Sequence, residues 1–419
     1  MADLFPFRAR RFRDPVTGDA AACAAPPYDV IHGDERETYA ARSAANVVHL
    51  TLPTPRDGLD PYASAAARLS EFCADGRLVQ DREPTLHLQD VTFRAPGDAP
   101  GTLRTRHGFL ALARVEPIGQ GAILGHEEVL PKAIEDRWRL MTATRANLEP
   151  VFFLYRDPDG AIDALLQPVR ERVAAVDVPL DGMRFQFRVA PPSIARDVSA
   201  RLADEPLYIA DGHHRFTVSN RVREEHPEWP GARFRLALFV RAEDPGLVIL
   251  PTHRFVDRVT QDLERALRAR QDEWFDLEPV APSALLQRLA DAHGAMAIWW
   301  RRRGEAAIAR PKSSASIRLG ATPEPMRSLD VNVLHRGWWD AAALATTPPT
   351  CRYVRGEEDP IGLAEQDDVD LAVFLRSPPV ATVLAVSNQR RFMPPKSTYF
   401  FPKAASGQVL YRFEDAPAS

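Results

Sequence analysis

Apolar positions recur along the chain at two spacings, one close to two residues and one close to three and a half. Met183-Arg-Phe-Gln-Phe-Arg-Val189 alternates strictly and predicts a strand with one wet face. Phe109-Leu-Ala-Leu-Ala, Val151-Phe-Phe-Leu-Tyr155, Phe234-Arg-Leu-Ala-Leu-Phe-Val240 and Asp370-Leu-Ala-Val-Phe-Leu375 are further strand candidates. Helical spacing begins after Asp60-Pro61, a capping residue followed by proline at the first turn. Tyr62, Ala66, Leu69, Phe72 and Cys73 then share one face, and Gly76 closes the helix. A second helix lies between Pro131 and Pro150, with Ile134, Trp138, Met141, Arg145 and Leu148 along one stripe. From about residue 262 to 389 helical and extended stretches alternate, as in 282–293 followed by 295–300. The pattern predicts an α+β protein with a second α+β lobe. No repeat of fixed period interrupts it.

A chain of 419 residues exceeds what one core usually organises, which supports the division into two lobes. Hydrophobic residues at 45% and charged residues at 26% exclude wholesale disorder. The 53 Lys+Arg against 57 Asp+Glu leave a net charge of −4, which argues against a surface built for polyanions. No apolar run approaches the roughly 20 residues needed to cross a bilayer. The first residues carry charge but no apolar core of a signal peptide, so a cytoplasmic location is expected. Cys23, Cys73 and Cys351 are too scattered for a disulfide framework or a cysteine zinc site.

Three segments carry candidate chemistry. Leu207-Tyr-Ile-Ala-Asp-Gly-His-His-Arg-Phe216 reads as a strand, a tight turn at Asp211-Gly212, and a helix from His213 that ends before Pro227. The first turn of a helix offers backbone N–H groups at the positive end of its dipole. Gly212 lets an anion approach the backbone and Arg215 can fork onto phosphate oxygens, giving a candidate phosphate cradle. The cradle is not of the Walker type, since no G-x-x-x-x-G-K-[ST] is present. An ordinary turn whose histidines pack or cap is the alternative. Zinc fits poorly, because adjacent helical residues point about 100° apart and H-E-x-x-H is missing.

In Gly125-His-Glu-Glu-Val-Leu-Pro-Lys-Ala-Ile-Glu-Asp-Arg137 two carboxylates follow a histidine just before a helix. A loop carboxylate near a bound hydroxyl can act as general base. The plainer alternative is a charged start to a helix, with Lys132 and Asp136 paired at i,i+4. Phe392-Met-Pro-Pro-Lys-Ser-Thr-Tyr-Phe-Phe-Pro-Lys403 sets Lys396, Ser397 and Thr398 among prolines, at rigid geometry suited to a carboxylate or phosphate. A packed proline-rich edge is the other reading.

Taken in order, Ala25-Pro-Pro-Tyr-Asp-Val-Ile31, His126-Glu127, Tyr208-Ile-Ala-Asp-Gly-His-His-Arg215 and Met393-Pro-Pro-Lys-Ser-Thr-Tyr-Phe400 resemble a large prokaryotic domain-of-unknown-function family over essentially the whole chain. Pro251-Thr-His-Arg-Phe-Val256, Ser328-Leu-Asp-Val331, and Asp136-Arg137 followed by Ala146-Asn147 fit it as well. More distantly, the chain is similar to the archaeal free serine kinases that take phosphate from ADP. They carry a His-Glu pair, an Asp-Gly-His-His-Arg turn and a late Pro-Lys-Thr-Thr segment. Those kinases belong to the ParB/sulfiredoxin superfamily, which shares a phosphate-binding Gly-x-x-Arg at a helix start.

This resemblance implies a ParB/sulfiredoxin-like phosphate-binding core lobe beside the second α+β lobe. It implies a cytoplasmic phosphotransferase of amino acid metabolism, moving phosphate from ADP or ATP, with Mg²⁺, to the hydroxyl of a free amino acid, L-serine first. By the same resemblance Glu127, Asp211 and His213 are catalytic, while Gly212, His214 and Arg215 bind the nucleotide phosphates. His126, Lys396, Ser397 and Thr398 face the substrate, and no metal ligand is assigned. The late segment departs from the family by reading Lys-Ser-Thr, and the chain is longer than those kinases. Position 213 is not the cysteine that sulfiredoxins require. The Gly-Glu-Arg-Arg of ParB proteins is also missing, although a non-catalytic nucleotide switch with a nucleic-acid or protein partner remains the alternative. The expected division is 1–256 for the catalytic lobe, 257–389 for the second lobe, and 390–419 returning to the site.

Overall fold

The computed structural model describes residues 3–13, 19–129, 131–314, 319–320, 322–340, 349–356 and 359–417, with only the backbone described for 131–133. The fold is α+β, and the chain forms two compact units. Met1–Gly125, Val129–Leu247 and Pro402–Ser419 make the first, and His126–Glu128 with Val248–Phe401 makes the second.

A nine-stranded mixed sheet organises the first unit. In spatial order its strands are Ile123–Leu124, Leu207–Asp211, Val151–Tyr155, Phe234–Arg241, Arg104–Arg114, His87–Phe93, Met183–Val189 and Val176–Leu180, with Leu4–Phe5 also on Arg104–Arg114. Two pairings are parallel, Leu207–Asp211 on Ile123–Leu124 and Phe234–Arg241 on Val151–Tyr155. Strands in the middle are covered on both sides, so Val151–Tyr155 is buried at every position and reads as an unbroken apolar run. Toward the rim, Met183–Val189 buries only Phe185 and Phe187, which accounts for its alternation. On one face Phe109, Phe153 and Phe239 pack with Phe216 and with the helices Ala161–Arg170 and Pro192–Leu202.

Helix Pro61–Ala74 starts where the capping pattern places it, the Asp60 side chain accepting from the N–H groups of Tyr62 and Ala63. Leu69 and Phe72 face inward as expected, joined by Ala65 rather than Ala66. Helix Pro131–Thr144 corrects the expected stripe. It stops at Thr144, and Arg145 takes a left-handed conformation (φ 47°), so Arg145 and Leu148 lie past its end. Its inward residues are Arg137, Leu140, Met141 and Thr144, because helices Pro61–Ala74 and His213–Glu225 pack against that side. Trp138 sits nearer the rim and donates its indole N–H to Glu225.

The second unit is built on a six-stranded antiparallel sheet, ordered Phe275–Pro279, Glu305–Pro311, Met296–Trp300, Leu371–Phe374, Thr252–Val256, Arg352–Arg355. Met296, Ile298 and Trp300 join one core, with helix Gln261–Trp274 and Trp338. Ala297 and Trp299 turn to the other, with helix Leu285–Asp291 and Ala364. The expected helix at 282–293 is therefore shorter, a 3₁₀ turn at Pro282–Ala284 followed by Leu285–Asp291. Among the described residues no helix is long and apolar enough to cross a membrane.

The boundaries differ from the expected 1–256, 257–389 and 390–419. Thr252–Val256 is hydrogen-bonded between two strands of the second sheet, so the division falls after Leu247. Residues 126–128 join the second unit because their backbone pairs with Met393, and only Pro402 onward belongs again to the first.

Candidate functional site

In the first unit, the turn forms as its residue types dictate. Strand Leu207–Asp211 runs into Gly212 at φ 93°, and helix His213–Glu225 follows. The left-handed conformation favours glycine, and a Cβ at Gly212 would sit 3.1 Å from the Arg215 guanidinium and press on it. Arg215 folds back along the turn. Its Nη2 donates to Asp211 Oδ2 at 2.6 Å and its Nη1 to the Pro150 carbonyl at 2.6 Å. His213 is buried and His214 half-buried, the two pointing about 100° apart on the helix.

Asp211 is shared. Lys403 Nζ donates to its Oδ1 at 2.5 Å and to Asp29 Oδ2 at 2.7 Å, with the lysine side chain only 6% exposed. Pro402, just before it, accepts from the buried Arg106. Glu149 accepts from the Tyr28 N–H at 2.9 Å, and its carbonyl accepts from Arg235 at 2.6 Å. The Arg137 guanidinium lies 4.1 Å over the Tyr28 ring. Asp29, Asp211 and Glu149 thus balance Lys403, Arg215 and Arg235, which is what burial of so many charges requires. Burial alone would raise the Asp29 carboxyl, but Lys403 and Arg215 outweigh it and hold it below the ordinary carboxylate value. Burial pushes the Tyr28 phenol up to about 12, so it stays protonated and neutral.

The second unit gathers the other candidates. Residues 126–128 and 393 are clamped as adjacent backbone: Met393 N–H donates to the His126 carbonyl at 2.8 Å and Glu128 N–H to the Met393 carbonyl at 3.2 Å. Ser397 N–H donates to Glu127 Oε2 at 3.2 Å, and His126 Nε2 lies 2.9 Å from Thr398 Oγ1. The Ser397 hydroxyl is turned inward onto the Pro394 carbonyl. Lys396 takes φ 59°, left-handed for a residue that does not favour it. Arg254, fully buried, donates to the Lys396 carbonyl at 3.0 Å and reaches the Pro395 carbonyl at 3.4 Å. The two glutamates diverge, as neighbours in an extended segment do. Glu127 meets Ser397, while Glu128 is exposed and pairs with Arg336 at 2.7 Å.

The predicted residues therefore fall into two groups. Asp211, Gly212, His213, His214 and Arg215 come together in the first unit, and His126, Glu127, Lys396, Ser397 and Thr398 in the second. The Lys132 side chain, whose pairing with Asp136 belongs to the plainer alternative, lies outside the described residues; Asp136 accepts from Tyr62 and Arg137. Tyr28, Asp29, Glu149 and Lys403 carry no role in the sequence reading, nor do Arg254 and His335. Tyr28-Asp29 and Arg254 stand in segments that fit the family pattern, and Lys403 ends the third segment. Nothing near Glu149 or His335 signals them.

Residues 4–332 match the family described as Protein of unknown function (DUF1015). No curated protein matches the sequence. Among solved structures, the chain is similar to a conserved hypothetical protein from Pyrococcus furiosus at 13% identity and TM-score 0.36, covering 70% of this chain and 93% of that one. It is similar to a free serine kinase in complex with AMP at 12% identity and TM-score 0.37, covering 70% and 90%. SbnI with a C-terminal truncation, from Staphylococcus aureus, aligns at 11% identity and TM-score 0.38, covering 72% and 86%.

Proposed function

The chain belongs to the DUF1015 family, whose function is unknown, and from that premise we propose that it is a small-molecule kinase with a ParB/sulfiredoxin-like phosphate-binding lobe. It transfers phosphate from ADP or ATP to the hydroxyl of a free amino acid, L-serine first. The observation that carries this reading is the turn after Leu207–Asp211. A left-handed glycine opens a thirteen-residue helix, and Asp211 is held in place by Lys403 and Arg215. Such a helix start suits phosphate oxygens, with Gly212 letting them reach the backbone of His213 and His214.

In this reading Arg215 braces Asp211 and adds positive charge, since burial alone would lower its pKa but Asp211 and Glu149 raise it above the ordinary value. Glu127 takes the proton from the substrate hydroxyl as its oxygen forms the new bond to phosphorus. The bond from phosphorus to the leaving nucleotide oxygen breaks, giving AMP from ADP or ADP from ATP. Lys396 supplies a cation for the substrate carboxylate or the phosphates, and His126 and Thr398 keep its turn in register. Phosphoryl transfer leaves the protein little covalent work, so positioning and charge supply most of the acceleration.

Mg²⁺ is the ion such chemistry uses to neutralise phosphate charge. Among the described residues no group of three or more His, Cys, Asp or Glu side chains gathers as a metal cluster. Mg²⁺ would be carried mainly on the nucleotide phosphates, and no protein ligand is assigned to it.

The test is incubation of purified protein with ADP or ATP, Mg²⁺ and a panel of hydroxy amino acids. A phosphorylated amino acid from at least one pair is the expected result. No product from any donor sinks the reading, and salt-sensitive DNA binding in its place would favour the nucleotide switch.

A further inference from the structure

Arg254 is a charged side chain with no exposed surface, and the transfer scheme gives it no direct task. Its three nitrogens are all committed to the protein. Nη1 donates to the Thr252 carbonyl at 2.6 Å, Nη2 to the carbonyls of Lys396 (3.0 Å) and Pro395 (3.4 Å), and Nε to His335 Nε2 at 3.1 Å. The Tyr353 ring lies 4.7 Å beneath the guanidinium. A guanidinium used in this way is not a ligand-binding group, because binding would break bonds that offset its burial. Its partners show what it fixes. Two of them are successive carbonyls of the turn in which Lys396 is left-handed, and the next N–H of that turn, from Ser397, meets the Glu127 carboxylate.

We propose that Arg254 is the positioning residue of the base: bonded to the 395–397 turn, it fixes where the Glu127 carboxylate points and sets a buried positive charge beside it. The inference rests on the reading of Glu127 as base. His335 is suited to its part. Burial, with Arg254 and Arg336 nearby, lowers its pKa to about 3, so the ring is neutral and its Nε2 accepts the Arg254 proton. Burial lowers the Arg254 pKa, and the Glu127 charge is among the groups that act against that fall, so the two attract directly as well. Tyr353 also faces Glu127, Lys396 stands in the same turn, and His126 and Glu128 flank it in the chain, with Glu128 neutralised by Arg336. Of these groups, only Arg254 is a buried cation bonded to the turn that meets Glu127.

Replacing Arg254 with Met removes both the fork and the charge. A shift of a reacting group by about 1 Å can cost about 10²-fold in rate, and kcat of Arg254→Met should fall by that order while nucleotide KM stays within a few-fold. Without the cation Glu127 protonates more readily, so the acid limb of the kcat/KM profile should move to higher pH. The same shift should appear in the ¹³C resonance of the Glu127 carboxyl, identified by its loss in Glu127→Gln. Arg254→Lys keeps charge without the fork, so its acid limb should stay in place while kcat falls about tenfold.

A folded Arg254→Met protein whose Glu127 resonance titrates as in wild type overturns the proposal. Should that variant not fold, full kcat in Arg254→Lys overturns it instead. If wild type shows no transfer at all but the resonance still moves in Arg254→Met, the kinase reading fails and the positioning role stands.

Discussion

The turn at 211–215 and the turn at 394–398 are built in opposite ways. The first is local: a strand end, a left-handed glycine and an arginine that folds back four residues to its own Asp211. Its conformation follows from the sequence of the turn, and distant residues brace it, Lys403 through Asp211 and the Pro150 carbonyl through Arg215. The second is held from outside. Glu127 reaches it from 270 positions away, Arg254 from 142, and Arg336 fixes the approach at Phe392. A local turn survives changes at distance and fails through its own residues. A turn held from outside also fails through residues, such as Arg254, that never touch substrate.

Glu127→Gln is the sharpest probe of the second turn, because it keeps the shape and removes the basic oxygen. A positioned base is worth about 10²–10⁴-fold, so kcat should fall by that much in steady-state assays while nucleotide binding measured by calorimetry survives. Glu128→Gln, which loses only an exposed pair with Arg336, should stay within a few-fold of wild type. Equal large losses from both substitutions would contradict the divergence of the two side chains.

Next in size is Lys403→Met, aimed at the charge balance of the first turn. Asp29 and Asp211 lose the cation they share, leaving Arg215 against them, and breaking such a buried pair costs about 3 kcal/mol, read as a lower urea midpoint. The pH dependence should change with it. The Asp29 pKa is depressed in the fold, so its stabilisation is present above the ordinary carboxylate value near about 4 and is lost as pH falls through the lower folded value. Without Lys403 that value rises, and acid destabilisation should begin nearer neutral pH.

These two probes also mark what could be read in advance. The 211–215 turn was legible because its geometry is a matter of neighbours: glycine for φ 93°, then a helix that ends before Pro227. Met183–Val189 was legible because its burial alternates, and Val151–Tyr155 because it is an unbroken apolar run. Lys403, Glu149 and His335 were not, since an isolated lysine, glutamate or histidine has no periodicity and gains meaning only from partners far away in sequence. The unit boundary was missed for the same reason. Thr252–Val256 is buried throughout, yet Thr252, His253 and Arg254 are polar, so no apolar pattern assigns it and only its hydrogen-bond partners decide.

Gly212→Ala should have a smaller effect, confined to the local turn. The left-handed conformation costs an alanine about 1–2 kcal/mol, and its Cβ presses on the Arg215 guanidinium. Nucleotide affinity should weaken while the Glu127 titration stays unchanged, a separation readable by calorimetry and NMR on one sample. Smallest is Asp60→Ala, which removes a helix cap that serves neither turn. It should cost about 1 kcal/mol of stability in thermal unfolding and leave kcat alone, so a loss of turnover there would show that the turns are not as separate as described.

The central claim is that a substrate hydroxyl oxygen attacks phosphorus. L-Serine labelled with ¹⁸O in its hydroxyl, turned over with ADP or ATP and Mg²⁺ and analysed by mass spectrometry, tests it directly. The account predicts O-phosphoserine that retains the label in its ester oxygen, formed together with AMP or ADP. An absence of phosphoserine from either donor, or phosphoserine from which the label has been lost, would contradict it.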